Sequence, residues 1–156
     1  AHEVYDTETN TWSKAAPIPV VHDGTAGVAV NEKIYAFQGD RTFEFDPGGN
    51  MWTEKAKMSN IARWSYGAVA LDDRIFVIGG LLAGSSNATD ICEEYDPVAD
   101  RWHTRPSMLN GRGLLALGAI NGGIFAATGY DFLGVGYPLT TEEFTPPTSY
   151  FLYSKD

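Results

Sequence analysis

The chain of 156 residues contains a single cysteine, Cys92. One cysteine cannot form a disulfide within the chain, and it cannot supply the several thiolates of a cysteine-based zinc or iron–sulfur centre. The cysteine count therefore excludes a disulfide-stapled scaffold and leaves the cellular compartment open.

Basic residues and long apolar runs are scarce as well. The chain carries 11 Lys and Arg against 20 Asp and Glu, and its net charge is -9. A nucleic-acid backbone requires a basic surface, so we expect no nucleic-acid partner and interpret the acidity as a solvated surface. No segment approaches the ~20 apolar residues of a membrane-spanning helix, because glycines and Asn121 interrupt the most apolar run, 113–127. We therefore expect no membrane insertion.

Helical periodicity is absent too, since no window of about 12 residues shows the 3.6-residue period of an amphipathic helix. Glycine and proline are frequent instead, with 17 and 8 residues, and they stand beside 8 Tyr, 8 Phe and 4 Trp. Aromatic side chains favour strands, whereas glycine and proline favour turns. The composition therefore predicts an all-β chain of short strands joined by tight turns.

The aromatic residues recur at a fixed spacing. An aromatic ring followed directly by Asp, with a Trp seven positions after the ring, occurs three times: Tyr5-Asp6 with Trp12, Phe45-Asp46 with Trp52, and Tyr95-Asp96 with Trp102. A fourth, degenerate copy has Phe144 in the ring position, Thr145 in the Asp position and Phe151 in the Trp position. The chain is therefore built from repeated units.

Two further marks precede the later rings. An Ile stands five residues before a Gly at Ile34–Gly39, Ile75–Gly80 and Ile124–Gly129, and a polar residue, His22, Arg63 or Arg112, follows each Trp by 10 or 11 residues. Each unit thus divides into four short strands. We call them strand a, which is rich in small residues, strand b, from Ile to Gly, strand c, which enters the ring–Asp pair, and strand d, which carries the Trp.

A four-stranded unit with these marks resembles the kelch repeat, whose units are the blades of a β-propeller. The resemblance covers nearly the whole chain. One departure is that strand b keeps the usual two glycines only at Gly79-Gly80, because Gln38 and Thr128 replace the first glycine in the other units. The resemblance implies an all-β propeller of four-stranded antiparallel blades.

The units predict an incomplete ring. Residues 1–18 supply strands c and d alone, 19–57 and 58–107 are whole blades, and 108–156 is a degenerate terminal blade. Propellers have about 4 to 8 blades, so the remaining blades must come from the same longer chain or from a second copy. We expect a longer chain, because it opens on a half unit at Ala1 rather than on Met.

The connections between strands b and c and between strands d and a should lie on one face, where kelch proteins bind, as the resemblance implies. Arg63, Arg112 and His22 open strand a, nearest the channel mouth. Arginines in this position grip the ligand in kelch domains that recognise acidic peptides, and a guanidinium can bind a carboxylate with two hydrogen bonds. The structural alternative, hydrogen bonding to the loops of an adjacent blade, stays open.

Further candidates for partner binding lie in the loops of the same face. The aromatic candidates stand outside the repeated core pattern and are expected to be anchors: Trp64, Tyr66, Tyr130, Phe132 and Tyr137. The polar candidates are Arg41 and Asp131. The repeated tryptophans, by contrast, are expected in the core.

Catalytic constellations are missing from the sequence. A kelch-type copper oxidase needs two histidines and a Tyr–Cys pair that converge on the channel. Here His2 is predicted to begin an outer strand, His103 to lie on strand d and Cys92 on strand c, so that they cannot converge. Glu93-Glu94 and Glu142-Glu143 are adjacent on strands and point to opposite faces, so neither is a glycosidase pair. We predict no catalytic residue, no metal and no cofactor.

The sequence therefore predicts a non-catalytic scaffold that binds a protein or a peptide through the loop face. Acidic peptides are among the expected partners. The alternative is a carbohydrate-active propeller, either a mutarotase-like enzyme or a glycan binder. The sequence Asn87-Ala88-Thr89 is an N-glycosylation sequon and favours a secreted or cell-surface location slightly, while a cytoplasmic adaptor stays open.

Overall fold

The computed structural model describes residues 2–20, 26–58, 61–85, 87–131 and 140–146, and the following account concerns these residues. They form short strands without a helix. The strands are β1 (His2–Asp6), β2 (Thr11–Ala15), β3 (Ala26–Val30), β4 (Lys33–Gln38), β5 (Arg41–Asp46), β6 (Met51–Lys55), β7 (Arg63–Trp64), β8 (Gly67–Leu71), β9 (Arg74–Ile78), β10 (Leu81–Leu82), β11 (Cys92–Asp96), β12 (Arg101–Arg105), β13 (Ala116–Ile120), β14 (Gly123–Ala127) and β15 (Glu142–Phe144).

The strands form a series of antiparallel sheets. The order is β1-β2, then β3-β4-β5-β6, then β8-β9-β11-β12, then β13-β14-β15, and a short ribbon pairs β7 with β10. Strands that follow each other in the larger sheets are antiparallel neighbours, which fits the predicted a–b–c–d order. The all-β class with four-stranded antiparallel sheets is confirmed, and the ring is not closed. The unit boundaries themselves stay a prediction.

Strand β9 shows why the sheets stack. Four of its five residues, Ile75–Ile78, are buried, with at most 2% of each exposed. Ile75 and Val77 belong to a cluster with residues of the β3–β6 sheet, whereas Phe76 and Ile78 belong to a cluster that packs on the β13–β15 sheet. Because successive side chains of a strand point to opposite faces, an unbroken apolar strand is the sequence of a strand buried on both faces. The middle sheet is therefore packed between two neighbours.

Polar contacts at single alanines join the sheets as well. Trp52 donates from Nε1 to the carbonyl oxygen of Ala16 at 2.9 Å, and Asn50 accepts the N–H of Ala16 at 2.8 Å. The next unit repeats the pattern at Ala56. Its carbonyl oxygen accepts a hydrogen bond from Trp102 Nε1 at 3.0 Å, and its N–H donates to the side chain of Asp100 at 2.8 Å. We call this arrangement the alanine clamp. The position of Trp52 and Trp102 agrees with a core role, whereas the side chain of Trp12 is 68% exposed.

The interface between the middle sheet and β13–β15 differs from the earlier ones. It contains a cavity of about 470 Å³. Pro106, which follows Trp102 by the same four residues that separate Ala56 from Trp52, lines this cavity together with Ile78, Met108 and Phe144. Proline has no N–H, so one half of the alanine clamp cannot form here. Phe151, the predicted counterpart of the tryptophans, lies outside the described residues.

Glycines permit the closest approach between units. A Cβ atom on Gly79 would lie 2.4 Å from the carbonyl oxygen of Arg112 in the following unit, and the backbone of Gly79 has a φ of +69°. Any side chain at this position would clash with that backbone. Gly39 has no heavy atom within 4 Å of a built Cβ, and it serves the tight β4–β5 turn instead. Absence of a side chain thus permits close approach between units at Gly79 but not at Gly39.

Candidate recognition face

The connections between strands b and c meet those between strands d and a on one face, as predicted. Met58 and Met108 donate their N–H groups to the carbonyl oxygens of Asp40 and Asp90, at 2.9 and 3.0 Å, and Arg112 donates its N–H to Thr89 at 3.2 Å. We call this surface the loop face. Its described residues are 39–41, 56–58, 61–66, 79–91 without 86, 106–115, 128–131 and 140.

The side chain of Arg63 lies beneath the surface of the loop face. Only 1% of the residue is exposed. Its Nε donates to the carbonyl oxygen of Gly79 at 2.9 Å, and its Nη1 lies 2.6 Å from Glu93, a carboxylate that is itself buried. The guanidinium carbon also lies 5.7 Å from the centre of the Tyr66 ring. Arg63 therefore ties the start of strand a to strands b and c of its own unit.

Arg112 has an equivalent role in the following unit. It is fully buried, and its Nη1 donates to the carbonyl oxygens of Thr128 and Thr140 at 3.1 and 2.9 Å. Its Nη2 lies 2.5 Å from Glu142. Burial opposes ionisation of Glu142, but hydrogen bonds from Leu109, Asn110 and Arg112 outweigh burial and hold the pKa of this carboxyl below its usual value.

Both arginines thus favour the structural interpretation that the sequence left open. A ligand carboxylate would have to displace the buried Glu93 or the partly buried Glu142 before either guanidinium could bind it. Removing one member of such a pair leaves an uncompensated buried charge, which is strongly unfavourable. The third predicted anchor, His22, lies outside the described residues, as do Phe132 and Tyr137.

The remaining predicted residues divide between core and surface. Tyr66 is a correction: only 6% of it is exposed, it belongs to the core cluster, and burial raises the pKa of its hydroxyl. Arg41 is partly exposed and holds Glu54 with two hydrogen bonds of 2.9 and 2.7 Å. Trp64 is 37% exposed, and Tyr130 and Asp131 are half-buried in the loop after β14.

Leu114 is a surface residue that the sequence did not single out. Its side chain is 64% exposed, and its backbone has a φ of +55°, a conformation that bulky residues rarely adopt. The N–H of Leu114 donates to the carbonyl oxygen of Ser65 at 2.7 Å, and Ser65 itself has a φ of +54°. Leu114 lies inside an apolar run that is typical of a buried strand, so the sequence did not predict that its side chain is exposed.

The described residues offer little for metal or thiol chemistry. Within the ranges given above, no three His, Cys, Asp or Glu residues are placed to hold a metal ion. Cys92 is buried, and burial raises the pKa of its thiol to about 12. No helix in the described part of the chain is long and apolar enough to cross a membrane.

Successive four-stranded antiparallel sheets, with a central strand buried on both faces and loops gathered at one end, define the blades of a β-propeller. Residues 63–109 match the family model of the kelch motif. The chain belongs to the kelch-repeat family and contains part of a propeller.

Similar proteins carry the same repeat. The chain is 29% identical to mouse Kelch-like protein 23 over 118 residues, which are 72% of this chain and 21% of that protein. It is 24% identical to human Kelch repeat and BTB domain-containing protein 12 over 155 residues, covering 81% of this chain and 24% of that protein. The chain thus spans about a fifth to a quarter of the length of these relatives.

A solved structure of YjhT has a similar fold. The TM-score is 0.69 at 18% sequence identity, and the match covers 75% of this chain and 37% of that one. At this level of identity the similarity shows the propeller fold alone.

Proposed function

We propose that this chain is part of a kelch propeller that acts as a non-catalytic recognition scaffold and binds a protein or peptide partner through the loop face. The observation that carries the proposal is a rigid platform on that face, on which Trp64 is exposed. The similarity to kelch-like and BTB–kelch relatives supports a protein partner.

The platform is a set of backbone hydrogen bonds that crosses two units. The N–H of Leu114 donates to the carbonyl oxygen of Ser65 at 2.7 Å, and the N–H of Gly80 donates to the carbonyl oxygen of Arg112 at 2.9 Å. Gly113 and Tyr130 each donate their N–H to the other's carbonyl oxygen, at 2.9 and 2.8 Å. Paired backbone groups hold the loops in a fixed arrangement, so a partner does not have to order them on binding. This preorganisation is what a recognition surface requires.

The buried arginines support the platform from below. Arg63 holds the turn at Gly79, and Arg112 holds the loop ends at Thr128 and Thr140. In this proposal the two arginines are positioning residues, while Trp64, Tyr130, Asp131 and Arg41 face the partner. A sugar-converting site would need Arg, Asn and Glu side chains at the channel mouth, and these two arginines are engaged with internal acceptors.

Selection from a random peptide library displayed on phage tests the proposal. The full chain is immobilised, and selected peptides are then synthesised and titrated against Trp64→Ala and against Val98→Ala. Val98 is 85% exposed in the β11–β12 turn, at the opposite end of the sheet from the loop face, so it is a matched control. We expect binding to fall about tenfold or more in Trp64→Ala and to stay unchanged in Val98→Ala.

Two results would overturn the proposal. One is a set of peptides that bind both variants as tightly as the unmodified chain. The other is the failure of repeated selections to yield any peptide that binds the folded chain.

A further inference from the structure

We propose that Asn121 is a site of spontaneous modification, at which the side-chain amide is converted to aspartate and isoaspartate with water as the co-reactant. The chain contains two Asn-Gly pairs, Asn110-Gly111 on the loop face and Asn121-Gly122 in the β13–β14 turn. The structure leaves the second pair open to reaction and restrains the first. This inference is independent of the proposed function.

The reaction joins the asparagine side chain to the backbone that follows it. The backbone nitrogen of the glycine loses its proton and attacks Cγ of the asparagine. A C–N bond forms to close a cyclic succinimide, and the Cγ–Nδ2 bond breaks so that ammonia leaves. Water then opens one of the two succinimide carbonyls, which gives aspartate or isoaspartate. Glycine favours the attack because no side chain hinders it, but the asparagine side chain must be free to approach.

The Asn121-Gly122 pair is free to react. Both residues are exposed, and no described residue forms a hydrogen bond with the side chain of Asn121. The β13–β14 ladder ends where Ile120 faces Gly123, so the two residues of the turn lie outside it. A Cβ built on Gly122 would meet no heavy atom within 4 Å. The turn therefore has room for the rearrangement that the attack requires.

The Asn110-Gly111 pair is restrained at both residues, although Asn110 is exposed as well. The carboxylate of Glu142 accepts hydrogen bonds from the backbone N–H of Asn110 at 3.2 Å and from its Nδ2 at 3.3 Å. A Cβ built on Gly111 would lie 2.9 Å from the carbonyl oxygen of Ala88, so the glycine backbone is packed against another loop. Attack at Asn110 would first have to break hydrogen bonds to a charged group, which slows it.

The repeat indicates what each product does to the β13–β14 turn. Asp72 occupies the position equivalent to Asn121 in the β8–β9 turn, with a φ of +51° against +53°. Aspartate therefore fits this backbone. Isoaspartate adds a methylene group to the main chain, and a two-residue turn fixes the register of its hairpin. The isoaspartyl form should thus weaken the pairing of β13 with β14.

Incubation of the full chain in slightly alkaline buffer, followed by trypsin digestion and mass spectrometry, tests the proposal. Cleavage after Arg112 separates the two pairs into fragments 102–112 and 113–155. In the folded chain we expect Asn121 to convert about tenfold faster than Asn110, the factor imposed by breaking a hydrogen bond to a carboxylate. When the chain is digested first and the fragments are incubated afterwards, the two asparagines should convert at similar rates.

Two variants test the cause and the consequence. Glu142→Gln removes the charge that holds Asn110, so conversion at Asn110 should become several-fold faster while conversion at Asn121 stays unchanged. Asn121→Asp carries the product that fits the turn and should match the unmodified chain in its urea midpoint. A sample aged until isoaspartate has accumulated should unfold at a lower urea concentration than Asn121→Asp.

The folded chain itself can overturn the proposal. It is wrong if Asn121 stays intact in the folded chain but converts in the fragment, or if folded Asn110 converts as fast as Asn121. An unchanged rate at Asn110 in Glu142→Gln would contradict protection by Glu142. An aged, isoaspartyl-containing sample that is as stable as Asn121→Asp would contradict the effect on the hairpin.

Discussion

Trp102 donates a hydrogen bond from its indole Nε1 to the carbonyl oxygen of Ala56, 3.0 Å away and 46 residues earlier in the chain. The same alanine gives its N–H to Asp100 at 2.8 Å, so both of its backbone polar groups are bound by the following unit. The apolar packing between sheets that share no strand is not directional. The clamp adds a directional contact that fixes how one blade sits on the next.

Replacing Trp102 by Phe should measure this contact. The change keeps an aromatic ring but removes the N–H, so the free energy of unfolding should fall by about 1–2 kcal/mol through the lost hydrogen bond and the smaller ring. Urea unfolding of both proteins gives the difference.

Trp12→Phe is the matched control, because Trp12 occupies the same repeat position and is 68% exposed. Its effect should stay below about 0.5 kcal/mol. Equal losses in the two variants would mean that the indole hydrogen bond contributes nothing measurable to stability.

The sequence predicted the periodic parts of this molecule and not the directions of side chains at its loops. The ring-to-Trp spacing located strands c and d, because a core position repeats whenever the blade repeats. It could not show that Arg63 turns inward, since the partner Glu93 lies 30 positions away on another strand. It could not find Leu114 either, because leucine in an apolar run indicates burial unless the backbone conformation is known.

Arg63→Ala should destabilise the fold and is a poor test of ligand binding. The substitution leaves Glu93 buried without its partner, which typically lowers the free energy of unfolding by about 3–5 kcal/mol. Arg63→Met combined with Glu93→Met removes both charges and should recover much of that loss, as measured by thermal unfolding. A well-folded Arg63→Ala protein that has lost only peptide binding would restore the gripping role predicted from the sequence.

Stability should depend on pH through Glu142. The folded-state pKa of this carboxyl lies below its unfolded value of 4.5. Its contribution is therefore fully present above pH 4.5 and is lost as the pH falls through the folded-state pKa. Urea midpoints measured at neutral pH and at progressively lower pH should fall more steeply in the unmodified chain than in Glu142→Gln, which cannot titrate there. Parallel slopes would show that the ionised state of Glu142 does not stabilise the fold.

The cavity between the last two sheets should accept additional volume. Ala126 is buried and lines the cavity, so Ala126→Val adds two methyl groups to space that the described residues leave open and should raise the free energy of unfolding by about 1 kcal/mol. Gly67→Ala tests the opposite case at the same interface, because a Cβ there would lie 2.6 Å from Leu117. That overpacking should lower the free energy of unfolding by about 1–3 kcal/mol. If Ala126→Val destabilises the protein to the same extent, the space beside Pro106 is already occupied by another part of the chain.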